Sequence, residues 1–368
     1  MVVTCSAVAF VAVARAQDPP GRAAATPAQL YETACASCHG SDGRGLSATQ
    51  IGFDVPLPDF TDCSFATREP DADWFAVAHQ GGPTRVFDEK MPAFGAALTE
   101  AELRQILSHV RSFCTDDAWP PGELNLPRAL LTEKAYVEDE AVLSSGVTLE
   151  GPLEIDGKLI YETRVGPRSQ FELIVPFAIM EREDADPQTD GWSEGVGDIA
   201  VGVKHVLIHS GSTGTILSAA GEVTLPTGDE ADGLGAGTFR FEPFLAFGQV
   251  VEPVGFIQFQ GGVELPTDPS RAEREGFGRV AIGQSVTEGR FGRTWSPMFE
   301  FAAKGELEAG APIEWDYVPQ MQVTLNRRQH IMLNVGVRMP LTDYDTRPTE
   351  LLMYLLWDWF DGGFFDGW

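Results

Sequence analysis

From about residue 141 onward, apolar and polar residues alternate along the chain. In "GFIQFQGGVELP", Ile257, Phe259, Val263 and Leu265 share one face, and Gln258, Gln260 and Glu264 the other. "RQHIMLNVGVRMP" sets Ile331, Leu333, Val335, Val337 and Met339 against His330, Met332, Asn334 and Arg338, and "SPMFEFAAKGEL" and "GKLIYETRVG" repeat the pattern. Successive side chains of a strand point to opposite faces, so a period of two predicts strands with one apolar and one polar side. Roughly twelve such runs fill 139–368. Most are about 10 to 13 residues long, against the five or six usual in soluble sheets. Gly-, Asp- and Pro-rich connections separate them, short turns alternating with longer loops such as "EREDADPQTDGWSEG".

The period alone does not choose an architecture. A soluble sandwich packs its apolar faces together, whereas a barrel in lipid turns them outward and keeps its charges in a wet lumen. Strand length favours the barrel, because a tilted strand needs about 9 to 11 residues to cross the hydrocarbon layer. So does the even strand number. Trp295, Trp315, Tyr317, Tyr354, Trp357, Trp359 and Phe360 lie near strand ends or in the last strand, where aromatic girdles belong. The expected fold over 139–368 is therefore an antiparallel transmembrane β-barrel of about 12 strands. Glu162, Arg164, Glu172, Lys204, Glu222, Arg240, Glu242, Glu300 and Lys304 are expected inside it, lining a passage or pairing with one another.

Nearer the N-terminus the period changes to that of helices. In "LTEAELRQILSHVRSFC", Thr99 and Glu102 form a capping box ahead of Leu103, Ile106, Leu107 and Val110. "TPAQLYETA" has Thr26 as N-cap and Pro27 at the first helical position. These elements bound an all-α unit over 26–116. Residues 117–138 are rich in proline, keep neither period and read as a linker. The first segment, "MVVTCSAVAFVAVARAQ", is an apolar run ending in Ala14-Arg15-Ala16, which predicts a signal peptide over 1–16. It lacks a positive n-region, so the true start is expected upstream.

Charge narrows the partners. The chain has 26 basic and 54 acidic side chains, net −28, which excludes nucleic acid as a partner. Once Cys5 leaves with the export segment, four cysteines remain. Cys35 and Cys38 precede His39 in "YETACASCHGSDGRG", the spacing C-x-x-C-H. One helical turn then presents two thiols and an imidazole to the same face, as covalent attachment of one haem c requires. A thioredoxin-like redox pair would need a preceding strand, and a zinc site a second ligand pair; neither is present in the sequence. A second axial ligand is offered by Met91 in "DEKMPAFG", followed by the stiffening Pro92; a thioether opposite histidine raises the reduction potential. His79 in "AVAHQGGP" is the alternative, and His109 falls on the closing helix. Cys63 and Cys114 are expected to pair in an oxidising compartment, closing a loop worth about 4 kcal/mol.

The order of helix, "CASCHG", "MPAFG" and closing helix resembles class I cytochromes c over about 26–116. That resemblance implies Cys35 and Cys38 as haem attachments, His39 as proximal ligand and Met91 as distal ligand. "GWSEGVGDIAVGVKHVL" and "GEVTLPTGDE" resemble the outer-membrane barrels named after phenol meta-pathway degradation clusters, over about 140–368. Gly195, Gly197 and Asp198, then Leu225, Pro226, Thr227 and Gly228, carry that likeness. The combination is similar to fused cytochrome–porin proteins that oxidise iron at cell surfaces. It implies an electron-transfer protein rather than a substrate-converting enzyme, set in outer-membrane lipid with its cytochrome domain facing the periplasm. Periplasmic redox proteins are the expected partners, with a small solute or ferrous iron entering the lumen. The alternative is an outer-membrane channel for a small solute, with the cytochrome as a redox or regulatory module. A barrel this narrow is not expected to hold a whole cytochrome fold.

Overall fold

The computed structural model describes residues 25–52, 54–55, 57–181 and 191–359. The expected signal peptide over 1–16, with Cys5, and Phe360 of the expected girdle lie outside these residues.

The helical lobe is built around two crossing helices, Pro27–Ala34 (α1) and Glu100–Arg111 (α6). Between them come Ala36–His39 (α2), Ala48–Ile51 (α3), Cys63–Ala66 (α4) and Asp71–Gln80 (α5). Reciprocal capping boxes start α1, between Thr26 and Gln29, and α6, between Thr99 and Glu102. The α6 stripe Leu103, Ile106, Leu107 and Val110 is buried. Ile106 and Val110 pack with Leu30, Tyr31 and Phe60. A disulfide between Cys63 and Cys114, with Cα atoms 5.1 Å apart, ties the start of α4 to the chain beyond α6.

The remainder is a closed, twelve-stranded antiparallel barrel. Its strands are Glu140–Thr148 (β1), Glu154–Val165 (β2), Ser169–Glu181 (β3), Ala200–Ser210 (β4), Thr215–Thr224 (β5), Arg240–Val251 (β6), Gly255–Pro266 (β7), Glu275–Gln284 (β8), Thr294–Glu306 (β9), Glu314–Thr324 (β10), Ile331–Pro340 (β11) and Glu350–Asp358 (β12). Each pairs with its neighbour in sequence, and β1 pairs with β12 from Glu140↔Asp358 to Thr148↔Glu350, so no long edge is left open. Two short ribbons, Trp192–Val196 and Val286–Thr287, extend β3 and β9.

The two faces are inverted relative to a soluble protein. Along β4, Val203 is 64 % exposed while the next residue, Lys204, is 5 % exposed. Leu143, Phe241, Phe299 and Phe301 stand outside, whereas Glu162, Gln258, Glu300 and Asn334 are buried within. A surface that leaves rings and branched aliphatics outside while burying carboxylates is stable only if something apolar surrounds it. Trp295 at one end and Trp192 and Trp315 at the other are exposed as girdle residues would be. Tyr354 departs from that expectation: it points inward, donating from its hydroxyl to the Arg128 carbonyl at 2.5 Å. Trp359 is also buried, stacked on Tyr161 with centroids 5.9 Å apart.

The barrel ends differ. The connections 166–168, 211–214 and 252–254 are tight and share the end that carries both chain termini of the barrel. The connection 225–239 and the described residues 191–199 lie at the opposite end, and the first of them is long. There the motifs around Asp198 and Leu225 meet: Asp198 accepts the Gly228 N–H at 2.9 Å, and Thr227 accepts that of Ile199 at 2.9 Å.

The segment expected as a linker over 117–138 is largely inside the barrel. A spacer would leave its backbone to water; this one is satisfied by the lumen wall. Leu130, Leu131 and Thr132 all donate backbone N–H groups to the Glu300 carboxylate at 2.7 to 3.2 Å. Gln258 donates to the Pro127 carbonyl at 2.8 Å, Arg279 to that of Leu131 at 2.8 Å and Lys204 to that of Lys134 at 3.0 Å. Arg128 bridges Glu140 and Glu162, and Lys134 holds Glu138 and Glu140. Leu124, Ala135, Tyr136 and Val137 pack on inward Val206, Ile216, Phe244 and Ala246. Gly336 leaves the gap that Leu130 enters: a Cβ there would lie 2.5 Å from the leucine methyl. The lumen is therefore filled at the level of residues 124–139.

Candidate haem site and its seat on the barrel

Cys35, Cys38 and His39 are brought together by one turn. His39 N–H donates to the Cys35 carbonyl at 2.9 Å, and that of Cys38 to the same oxygen at 3.1 Å. Gly40 ends the turn at φ +73°, a conformation that side chains other than glycine rarely adopt, and the buried Tyr31 hydroxyl donates to its carbonyl at 2.8 Å. The chain beyond folds back, with Gly45 N–H on the His39 carbonyl and Leu46 N–H on that of Cys38, both at 2.8 Å.

The His39 ring stacks on Phe60 with centroids 5.0 Å apart, and its buried Nδ1 has no hydrogen-bond partner. Burial holds its pKa below the usual value, so the imidazole is neutral and has a lone pair for a metal. Cys35 and Cys38 are free thiols beside it, although the lobe's other two cysteines are bonded to each other. Burial, then the charge of Cys38, pushes the Cys35 thiol up to about 11. Two unbonded thiols and a neutral, orphaned imidazole on one turn are the donor set that a covalently attached haem needs. The residues fit the group.

Met91 comes from a different segment. Its carbonyl accepts the Gly82 N–H at 2.9 Å, and its own N–H donates to Asp88 at 3.1 Å, folding the 82–91 loop onto the end of α5. Gly81, at φ +85°, permits this approach: a Cβ there would lie 2.9 Å from the Met91 carbonyl oxygen. The Met91 side chain is half-buried. His79 is turned toward the barrel, its ring 5.3 Å from that of Phe291 in the 285–293 connection. His109 packs edge-on against Tyr31 and Phe113 at 5.2 and 5.0 Å.

The lobe sits on the tight-turn end of the barrel through charged and aromatic contacts. Arg85, paired with Asp73 at 2.7 Å, donates to the Phe291 carbonyl at 3.0 Å. Arg327 donates to the Pro83 carbonyl at 2.5 Å, and the Arg328 guanidinium lies 4.8 Å over the Phe87 ring. The loop carrying Met91 is thus clamped by a barrel turn. Arg68 pairs with Asp139 at 2.7 Å where the chain enters β1.

His330 joins the two parts: Nε2 lies 2.9 Å from Glu69 of the lobe, and Nδ1 contacts Asp358 at the end of β12. Burial opposes its charge, but the two carboxylates outweigh burial and hold its pKa well above the ordinary value. A raised folded pKa stabilises docking fully below about pH 6.5, and the contribution is lost as pH rises through the folded value. Resistance of the 117–123 junction to limited proteolysis should therefore fall on going from pH 6 to pH 10. His330→Gln should be cleaved faster at pH 6 and show a flatter profile.

The lobe and the barrel define the class: a small helical cytochrome domain followed by a closed, twelve-stranded antiparallel β-barrel. Residues 22–110 match the family described as cytochrome c oxidase, cbb3-type, subunit III, and that match implies haem c. No curated protein matches the chain at a significant level. Among solved structures, an outer membrane channel from Pseudomonas putida F1 is similar at 13 % identity, covering 64 % of this chain and 100 % of that one, with a TM-score of 0.44. The NanC porin is similar at 7 % identity, with coverage of 60 % and 99 % and a TM-score of 0.43. The KdgM porin has 9 % identity, the same coverages and a TM-score of 0.38.

The sequence reading missed two functional features. One is the occupied lumen; the other is the docking surface formed by Phe291, Arg327, Arg328 and His330. Only the last carried a signal, since His330 is a polar residue at the head of an otherwise alternating strand.

Proposed function

We propose that the protein is an outer-membrane c-type cytochrome, a one-electron carrier held at the periplasmic mouth of a closed barrel. The observation that carries this reading is that the helical lobe stands wholly outside the barrel, while 124–139 fills the lumen beneath it. A carrier placed there exchanges electrons with periplasmic redox proteins and is tethered by the strands in outer-membrane lipid. The tight connections on the lobe's side support the orientation, since outer-membrane barrels keep short turns on the periplasmic face. The inverted surface supports the lipid setting.

In this reading Cys35 and Cys38 hold one haem c, His39 is the proximal ligand and Met91 the distal one. The bound group supplies reversible one-electron chemistry between ferric and ferrous iron. The chain keeps His39 neutral, shields its ring with Phe60, and fixes the Met91 loop between Gly82 and Arg327.

The test compares intact cells with cells whose outer membrane has been permeabilised, each given a reductant too large for porins. Haem reduction only after permeabilisation is the expected result. Equal reduction in intact cells would overturn the periplasmic assignment.

The lumen favours a second reading. Beyond the plug, half-exposed Glu222, Glu242, Arg240 and Glu264 line an open vestibule at the long-loop end. The likeness to the phenol-pathway barrel family, carried by the joined motifs at Asp198 and Gly228, would make this the mouth of a solute channel with the cytochrome as regulator. Solute flux through reconstituted protein that follows haem oxidation state would favour that reading over the tethered carrier.

A further inference from the structure

At the floor of that vestibule, three carboxylates converge from three segments: Glu133 from the plug, Glu162 from β2 and Glu172 from β3. One oxygen from each lies within 4.8 Å of the others. Glu162 is fully buried, and Glu172 is only 7 % exposed. Each of the three has a buried carboxylate oxygen with no hydrogen-bond partner. Arg128 occupies one oxygen of Glu133 at 2.9 Å and one of Glu162 at 3.1 Å, leaving the second oxygens of both unmet. Among the described residues, no cation pairs with Glu172.

Three of the nearby cations are already committed. Arg128 is shared with Glu140, Lys134 spans Glu138 and Glu140, and the Lys204 ammonium is bonded to a backbone carbonyl. None of the three donates to the second oxygens of Glu133 and Glu162 or to the buried oxygen of Glu172, which are left without a donor among the described residues. Buried charge without a counter-charge is costly. A small cavity of about 10 Å³, room for a single ion or water, adjoins the group between Glu172, Lys204 and Glu222.

We infer that Glu133, Glu162 and Glu172 form a binding site for one divalent cation of the oxygen-seeking class, such as Mn²⁺ or Ca²⁺. The donor set is all carboxylate, with no imidazole or thiolate to select a softer metal. Such an ion meets the three orphaned oxygens. It enters from the vestibule, past Glu222 and Glu242, because the plug closes the other side. Since one ligand belongs to the plug and two to the wall, the ion also pins the plug in the lumen. This inference is independent of the electron-transfer reading.

The test uses the full-length haem-loaded protein in detergent, stripped with EDTA and titrated with Mn²⁺ alone, free ion being read by electron paramagnetic resonance. One Mn²⁺ per chain is expected, displaced by Ca²⁺. Glu172→Gln should weaken binding at least tenfold, and Glu133→Gln likewise, with folding checked by the heat-dependent gel shift of the barrel. Glu133 sits on the plug, so its variant keeps the test open if the wall variant does not fold. No Mn²⁺ bound to the unaltered protein would overturn the inference and leave Glu162 and Glu172 sharing a proton. Undiminished binding in both variants would overturn it too.

Discussion

Replacing Glu300 by alanine is expected to loosen the plug and open the lumen. Glu300 is fully buried and accepts the N–H groups of Leu130, Leu131 and Thr132 and the Thr132 hydroxyl, while Gln320 steadies it at 2.5 Å. Three consecutive backbone donors around one carboxylate make an anion nest, here closed by a side chain of the wall rather than by a ligand. Alanine leaves three donors without an acceptor, the N–H groups of Leu131 and Thr132 and the Thr132 hydroxyl, while the Leu130 N–H keeps Gln320 at 3.0 Å. Each such donor costs about 1–3 kcal/mol, so the plug loses on the order of 3 kcal/mol or more of its hold. In planar bilayers the unaltered protein should pass little current and Glu300→Ala should show frequent openings. Glu300→Gln, which keeps one acceptor oxygen, should fall between them. Currents indistinguishable across the three proteins would show that the plug is held elsewhere.

The second large effect concerns Met91. Met91→His is expected to leave the haem attached, because Cys35 and Cys38 are untouched, but to lower its midpoint potential. A thioether stabilises the reduced metal more than an imidazole does. The shift should be on the order of a hundred millivolts, a fraction of the roughly 0.8 V that axial ligands span. His79→Ala should leave the potential unchanged, since its ring is packed against Phe291 on the barrel side. Potentiometric titration separates the cases. A potential altered by His79→Ala and insensitive to Met91→His would exchange the two residues' roles.

The barrel was legible because one rule governs all its strands. Alternation in "GFIQFQGGVELP" places Gln258 and Gln260 inside and Ile257 and Phe259 outside, and the structure does so. The turn bearing Cys35, Cys38 and His39 was legible because the spacing of its three groups is itself the geometry. The plug was not. An inward Glu300 or Glu162 reads the same in sequence whether water or another segment meets it. Residues 124–139 follow no period because their partners lie on many strands, each at its own height. Pro120, Pro121 and Pro127 suggested a linker with a short helical turn, and Gly122–Leu124 is such a turn. What periodicity cannot convey is that Arg128 and Lys134 have carboxylates waiting at Glu140 and Glu162. The Tyr354 error has the same origin: an aromatic ring near a strand end suits a lipid interface, but its hydroxyl was needed by the plug.

The path of 117–140 has a bearing on biogenesis. The segment leaves the lobe, enters the cylinder and comes back to begin its first staves at the same opening, so it is a re-entrant hairpin rather than a thread drawn through. The seam between β1 and β12 joins the earliest stave to the latest. That seam cannot be zipped until synthesis of the cylinder is complete, so the hairpin has an open trough to settle into rather than a finished tube to penetrate. The lobe, with its own covalent cross-link, stays at that one opening throughout and never has to pass through the cylinder.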